Sequence, residues 1–170
     1  HIPVSVDGSC NGLQVFSLLL RDEIGGRATN LIPSNTPQDI YGIVADKTVA
    51  ELENEVDEPF REKCKWSKKQ MADMWLELGV DRKICKRPVM IVPYSGTMYS
   101  CREYIEDYLR EDAKTNPFGD DLLYPTIYLA QIMWRQIDET VVKAREAMEW
   151  LKQVTRLAAI EDLPITWSTP

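Results

Sequence analysis

Two short stretches of the chain hold the residue types from which chemistry can be built. The first, Val6-Asp7-Gly8-Ser9-Cys10-Asn11-Gly12-Leu13-Gln14, sets a carboxylate beside a glycine carbonyl. Such a hard-oxygen pair suits Mg²⁺, which keeps several waters and takes few protein ligands. Read alone, an Asp at this place is more often an N-cap or turn residue. The second runs from Arg82 to Gly96, where Arg82, Lys86, Met90 and Tyr94 recur every fourth residue. On a helix that spacing makes one slowly drifting stripe. No acid lies between Asp81 and Glu103, so the two cations are expected to be free to meet phosphate oxygens. Met90 and Tyr94 are then placed to pack on a base or sugar. Pro88 predicts a kink in this helix and Pro93 its end.

The elements around these stretches read as mostly helical. Residues 2–6 alternate like a short strand that delivers Asp7 to a turn, and Pro164-Ile165-Thr166-Trp167 resembles another strand. The dense apolar run from Leu13 to Leu20 predicts a buried helix ending near Gly25-Gly26. After a loop-like stretch from Arg27, Ser34 or Thr36 is expected to cap a helix with Pro37 in its first turn. That helix carries Ile40, Ile43, Val44, Thr48 and Leu52, and the acidic run from Glu51 to Glu58 closes it. A further helix is expected from Pro59 to Leu78, with Phe60, Met71, Met74, Trp75 and Leu78 as its apolar stripe and Gly79 as its C-cap. Helices from Met98 to Lys114 and from Tyr124 to Ile160 follow, the latter long enough that a bend is expected.

Composition narrows the class. The chain has 170 residues, 44% hydrophobic and 28% charged, with a net charge of -7. These values fit a folded chain and not a disordered one. Residues 60–87 hold nine basic against four acidic side chains, so a local polyanion site is compatible with an acidic total. The competing reading of that stretch is a solvated helix face. Cys10, Cys64, Cys85 and Cys101 lack metal-ligand or disulfide-framework spacing, so free, partly buried thiols in a reducing cytosol are expected. No membrane span or signal peptide is legible. A start at His1 in place of Met, and an end at Trp167-Ser168-Thr169-Pro170, give the expectation of a piece cut from a longer chain.

Together, the two stretches resemble the first two polymerase motifs of the single-subunit DNA-directed RNA polymerases of bacteriophages and mitochondria. The Asp7 to Gln14 string is similar to the first motif and the Arg-x3-Lys-x3-Met-x3-Tyr row to the second. Arg21-Asp22-Glu23, Gly25-Gly26-Arg27, Asn30-Leu31, Pro33-Ser34, Gln38-Asp39-Ile40-Tyr41-Gly42 and Trp167 to Pro170 add to a likeness with the phage branch that covers nearly the whole chain.

The resemblance implies an α+β, predominantly α-helical fragment of a right-hand polymerase. Residues 1–23 would be part of the palm with the first motif, and 24–170 the fingers with a nucleotide-binding helix at 81–94. Asp7 and the Gly8 carbonyl would hold a pair of Mg²⁺ ions, together with a second aspartate supplied by a motif outside this chain. Arg82 and Lys86 would neutralise a ribonucleoside triphosphate, with Lys86 also a general acid for pyrophosphate. Met90 would pack near the template base, and Tyr94 would sit beneath the nascent pair and sense the 2′-hydroxyl. The implied partners are a DNA template, nascent RNA, ribonucleoside triphosphates and the remainder of the polymerase chain, with no membrane, in the cytoplasm of an infected bacterial host. The fragment alone is expected to be inactive. A related single-chain DNA polymerase and a non-catalytic nucleic-acid-binding helical module are the alternatives. Two departures stand out: Val15 follows Gln14 where the family commonly has His, and Ser95-Gly96 follows Tyr94 where it usually has Gly directly.

Overall fold

A computed structural model describes residues 8–113 and 115–166. The strand expected at 2–6, Asp7 and Trp167 lie outside them. Within the described residues the chain is helical: α1 (Asn11–Leu19), α2 (Glu23–Ala28), α3 (Ile40–Glu53), α4 (Lys68–Leu78), α5 (Arg82–Met90), α6 (Met98–Asp107), α7 (Leu123–Thr140) and α8 (Val142–Ile160). A 3₁₀ turn at Val92–Tyr94 follows α5, and a wider π turn at Tyr108–Asp112 extends α6. Residues 164–166 form no strand, and the one β-type pairing among the described residues is an isolated bridge between Pro59 and Ser67. The helical part of the expected class therefore holds.

Helix α7 is the hub. It packs on α3, α4, α5, α6 and α8 and buries Leu129, Ile132, Met133 and Ile137, a spacing that puts one apolar face toward its neighbours. Trp75 of α4 is fully buried against it, with its indole N–H donating to the Pro125 carbonyl at 3.1 Å and its ring 4.9 Å from that of Phe118. Burial of a large aromatic with its one donor satisfied anchors α4 on α7. The long periodic segment bends as expected: α7 and α8 are separated at Val141, whose backbone (φ -119°, ψ 44°) leaves the helical region.

Three boundaries differ from the sequence reading. Helix α3 is capped by Asp39, which accepts from the Tyr41 N–H at 3.2 Å, and not by Ser34 or Thr36. Asn30 is the reason: its amide donates to the Gln38 carbonyl at 2.7 Å and accepts from the Gln38 N–H at 2.6 Å. That double clamp holds 30–38 as a loop and delivers Asp39 to the cap. Helix α4 starts at Lys68 behind a capping box formed by Ser67 and Gln70, a stronger start signal than the apolar stripe that suggested Pro59. Phe60 thus lies outside the helix and packs edge-on to Tyr128. Gly79 does cap α4, at φ 90°.

Helix α1 is the third correction. Only Leu13 and Ser17 of it are buried, while Val15, Leu18 and Leu19 are 49%, 65% and 73% exposed. The apolar run is real, but α2, α8 and the 3₁₀ turn cover only one side of it. The chain then leaves α1 through Arg21, and Gly25-Gly26 falls inside α2 instead of ending α1.

Candidate functional site

The two stretches with chemical potential meet at one cavity of about 600 Å³. Gly8, Ser9, Cys10, Asn11 and Gly12 line it together with Arg82, Lys86, Met90 and Tyr94, and Gln38, Asp39, Ile40 and Tyr41 complete the lining. The helical stripe read from the sequence is therefore realised, although α5 ends at Met90 and the 3₁₀ turn carries Pro93 and Tyr94. Asp7 itself lies outside the described residues.

Packing explains how the walls are held. Helix α5 buries Ile84, Cys85, Pro88 and Val89 against its neighbours, which turns the stripe outward. Its N-terminus is capped by Asp81, which accepts from the Lys83 and Ile84 N–H groups at 2.8 and 3.3 Å. At the other end, α1 approaches the 3₁₀ turn so closely that a Cβ on Gly12 would sit 2.8 Å from Pro93 Cγ and 2.9 Å from Pro93 Cβ. Gly12 is thus the contact that seats Tyr94 beside the first stretch. After Tyr94 the chain reverses: the Tyr94 and Gly96 N–H groups both donate to the Ile91 carbonyl, at 3.0 and 2.9 Å. Ser95 takes φ 62° and ψ 29°, a left-handed conformation that favours glycine. The departure from a glycine after Tyr94 therefore places a side chain where the turn prefers none.

Charge pairing corrects one expectation. Arg82 is not free: its Nε donates to Asp39 Oδ2 at 2.7 Å, and its guanidinium lies 5.0 Å from the centre of the Tyr41 ring. The acid missing from the local sequence arrives from 43 residues upstream. Lys86, by contrast, pairs with no carboxylate among the described residues and is exposed. Met90 and Tyr94 are also exposed, the latter by 77%. The same correction applies to the wider basic stretch. Lys65 pairs with Asp121, Lys68 with Glu58, Lys69 with Asp73 and Arg87 with Asp107, at 3.5, 2.8, 3.0 and 3.8 Å. Much of the local positive excess is met by acids that counting along the chain assigns elsewhere.

Cys10 and Tyr41 were not singled out from the sequence, yet they join the walls. Burial raises both groups above their ordinary values, and their interaction with each other raises the phenol further while opposing the shift of the thiol. Both are therefore neutral near pH 7, and Cys10 is a packing partner and no nucleophile. The signal that finds Asp39 and Tyr41 is the cap itself, an Asp directly before the first apolar residue of α3. All four cysteines are free, as expected. The described residues contain no group of three His, Cys, Asp or Glu side chains able to hold a metal. The cavity's described carboxylate, Asp39, is already paired with Arg82. No helix among the described residues is long and apolar enough to cross a membrane.

Comparison with known proteins agrees with the geometry. The family model for DNA-dependent RNA polymerase matches residues 1–169. The chain is 40% identical to T7 RNA polymerase of Escherichia phage T7 and 38% to the DNA-directed RNA polymerase of Enterobacteria phage K11, each over 94% of this chain and 20% of the relative. It is 34% identical to the mitochondrial DNA-directed RNA polymerase of Mus musculus, over all of this chain and 13% of that protein. The chain thus spans about a fifth of the length of its phage relatives. Two motifs converging on one cavity, and a family match from one end to the other, lead to the same conclusion: the chain belongs to the DNA-dependent RNA polymerase family.

Proposed function

We propose that this chain is an internal part of a single-subunit RNA polymerase, with residues 1–23 contributing to the palm and 24–170 to the fingers. The complete enzyme transfers ribonucleotides to a growing RNA on a DNA template, in the cytoplasm of an infected bacterium. The observation that carries this reading is the single cavity lined by Gly8 to Gly12 and by Arg82, Lys86, Met90 and Tyr94.

The roles follow from exposure and chemistry. Lys86, which pairs with no carboxylate among the described residues, presents an ammonium that meets the triphosphate and donates a proton to the departing pyrophosphate as the bond between the α and β phosphates breaks. Arg82 offers its Nη groups to the same triphosphate. Met90 and the ring of Tyr94 give the base pair an apolar floor, and the Tyr94 hydroxyl reads the ribose 2′-hydroxyl. Asp7 and the Gly8 carbonyl are the proposed Mg²⁺ ligands of this segment. Because the described carboxylate of the cavity is engaged by Arg82, the metal pair needs Asp7 and a second acid from elsewhere in the enzyme. When bound, such ions supply Lewis-acid activation of the attacking hydroxyl and of the phosphate. The apolar side of α1 left open here is covered, on this reading, by the remainder of the polymerase.

Template-directed incorporation by the complete polymerase tests the proposal. Lys86→Ala is expected to lower kcat by roughly two orders of magnitude, as loss of a general acid does, and Tyr94→Phe to raise the use of deoxynucleotides. A preference for deoxynucleotides in the unaltered enzyme would favour the DNA polymerase alternative instead. The isolated 170-residue chain is expected to be inactive; sustained template-dependent synthesis by it, abolished by Asp7→Ala, would overturn that part.

A further inference from the structure

We infer that Asp39 is a positioning residue for the nucleotide-binding arginine: from the N-cap of α3 it fixes the Arg82 guanidinium by its Nε edge and leaves the Nη groups directed to a triphosphate. The inference rests on the reading of Arg82 given above.

Three observations carry it. The Asp39 contact is made at Nε, at 2.7 Å, and no other hydrogen bond of Arg82 occurs among the described residues. A carboxylate that competed for the phosphate-binding edge would grip the two Nη groups; one that grips Nε holds the fork by its stem. The Tyr41 ring, 5.0 Å away, covers one face of the guanidinium and limits its rotation. Finally, the pair is 55% and 42% exposed, and exposed ion pairs add little to stability. A contact of small stabilising value, on the wall of the cavity and to the residue that faces the ligand, is better explained by orientation than by folding. Asp39 can serve because its other oxygen, Oδ1, accepts from the Tyr41 N–H at 3.2 Å and so immobilises the carboxylate. One side chain thereby ties the start of α3 to the start of α5.

The test separates the two duties of Asp39 in the complete polymerase. Asp39→Ser keeps a capping hydroxyl but is too short to reach Arg82, and Asp39→Asn keeps the capping oxygen but sets its amide N–H₂, a donor, against the Nε–H. KM for ribonucleoside triphosphates and kcat are measured for both, for Arg82→Ala and for the Asp39→Ser, Arg82→Ala pair. Asp39→Ser is expected to raise KM roughly fivefold with kcat changed less than twofold, as loss of an exposed pair on a binding arginine implies. Asp39→Asn, which caps the helix but opposes a donor to Nε–H, should raise KM at least as much, and Asp39→Ser should have no further effect once Arg82 is absent. An unchanged or lowered KM in Asp39→Ser, with Arg82→Ala still raising it, overturns the inference and marks Asp39 as a bystander or a latch. An Asp39→Ser effect that persists without Arg82 overturns it in favour of a purely helix-capping role. If Arg82→Ala leaves KM unchanged, the triphosphate reading of Arg82 fails, and the inference with it.

Discussion

The turn after Tyr94 offers a sharp test because two adjacent residues should respond in opposite directions. Ser95 sits at φ 62°, exposed and with no hydrogen bond of its own among the described residues. Gly96 is buried, and a Cβ there would lie 2.5 Å from Ile91 Cγ1, 2.6 Å from Cδ1 and 2.8 Å from the Ile91 carbonyl oxygen. Ser95→Gly relieves a left-handed penalty of about 1–2 kcal/mol and adds about 0.5–1 kcal/mol of unfolded-state entropy. The net is a stabilisation of about 0.5–1 kcal/mol, or roughly 1–4 °C in Tm for a chain of this size. Gly96→Ala meets a carbonyl that cannot retreat, because it accepts the Tyr94 and Gly96 N–H groups. Overpacking of that kind costs about 1–3 kcal/mol. Thermal unfolding followed by circular dichroism reads both, and the double variant Ser95→Gly, Gly96→Ser should be worse than wild type. A Ser95→Gly variant that melts below wild type, or a Gly96→Ala variant that melts with it, refutes the assigned turn and the reasoning about the missing glycine after Tyr94.

Other consequences are open to direct measurement. Gly12→Ala should push Pro93 away from α1, and with it Tyr94; the complete polymerase should lose activity more than stability, which paired activity and unfolding measurements will show. Trp75→Phe removes the donor to Pro125 and leaves a small void beside Phe118, so urea unfolding should report a loss of about 2–3 kcal/mol. Burial pushes the Cys85 thiol up to about 12, so a thiol-exchange reagent at pH 8 should label it roughly a thousandfold more slowly in the folded than in the unfolded chain. The Arg110 and Arg102 guanidiniums hold the Glu106 carboxyl below its ordinary 4.5. Its stabilising contribution is then present above that pH and lost as the pH falls through the folded value. Glu106→Gln should lower Tm at pH 7 and flatten its decline below about pH 4.5.

What the sequence determined by itself is local in origin. The stripe Arg82, Lys86, Met90, Tyr94 depends on helical spacing alone, and the structure keeps it even though the last residue sits on a 3₁₀ turn. The break in the long C-terminal helix, the Gly79 cap and the free thiols were equally legible, because period, φ preference and cysteine spacing are properties of neighbours in the chain. Helix starts were less so: Ser34, Thr36 and Pro37 carry good local signals, and the long-range clamp of Asn30 on Gln38 overrode them. Burial failed where it depends on what lies alongside, as α1 shows with its open apolar side. Only tertiary structure decided electrostatics. A count along the chain left a positive excess in 60–87, but Asp39, Glu58, Asp107 and Asp121 return to four of its nine cations across the fold. Coulomb pairing depends on distance in space, and sequence separation says nothing about it once the chain has turned back on itself.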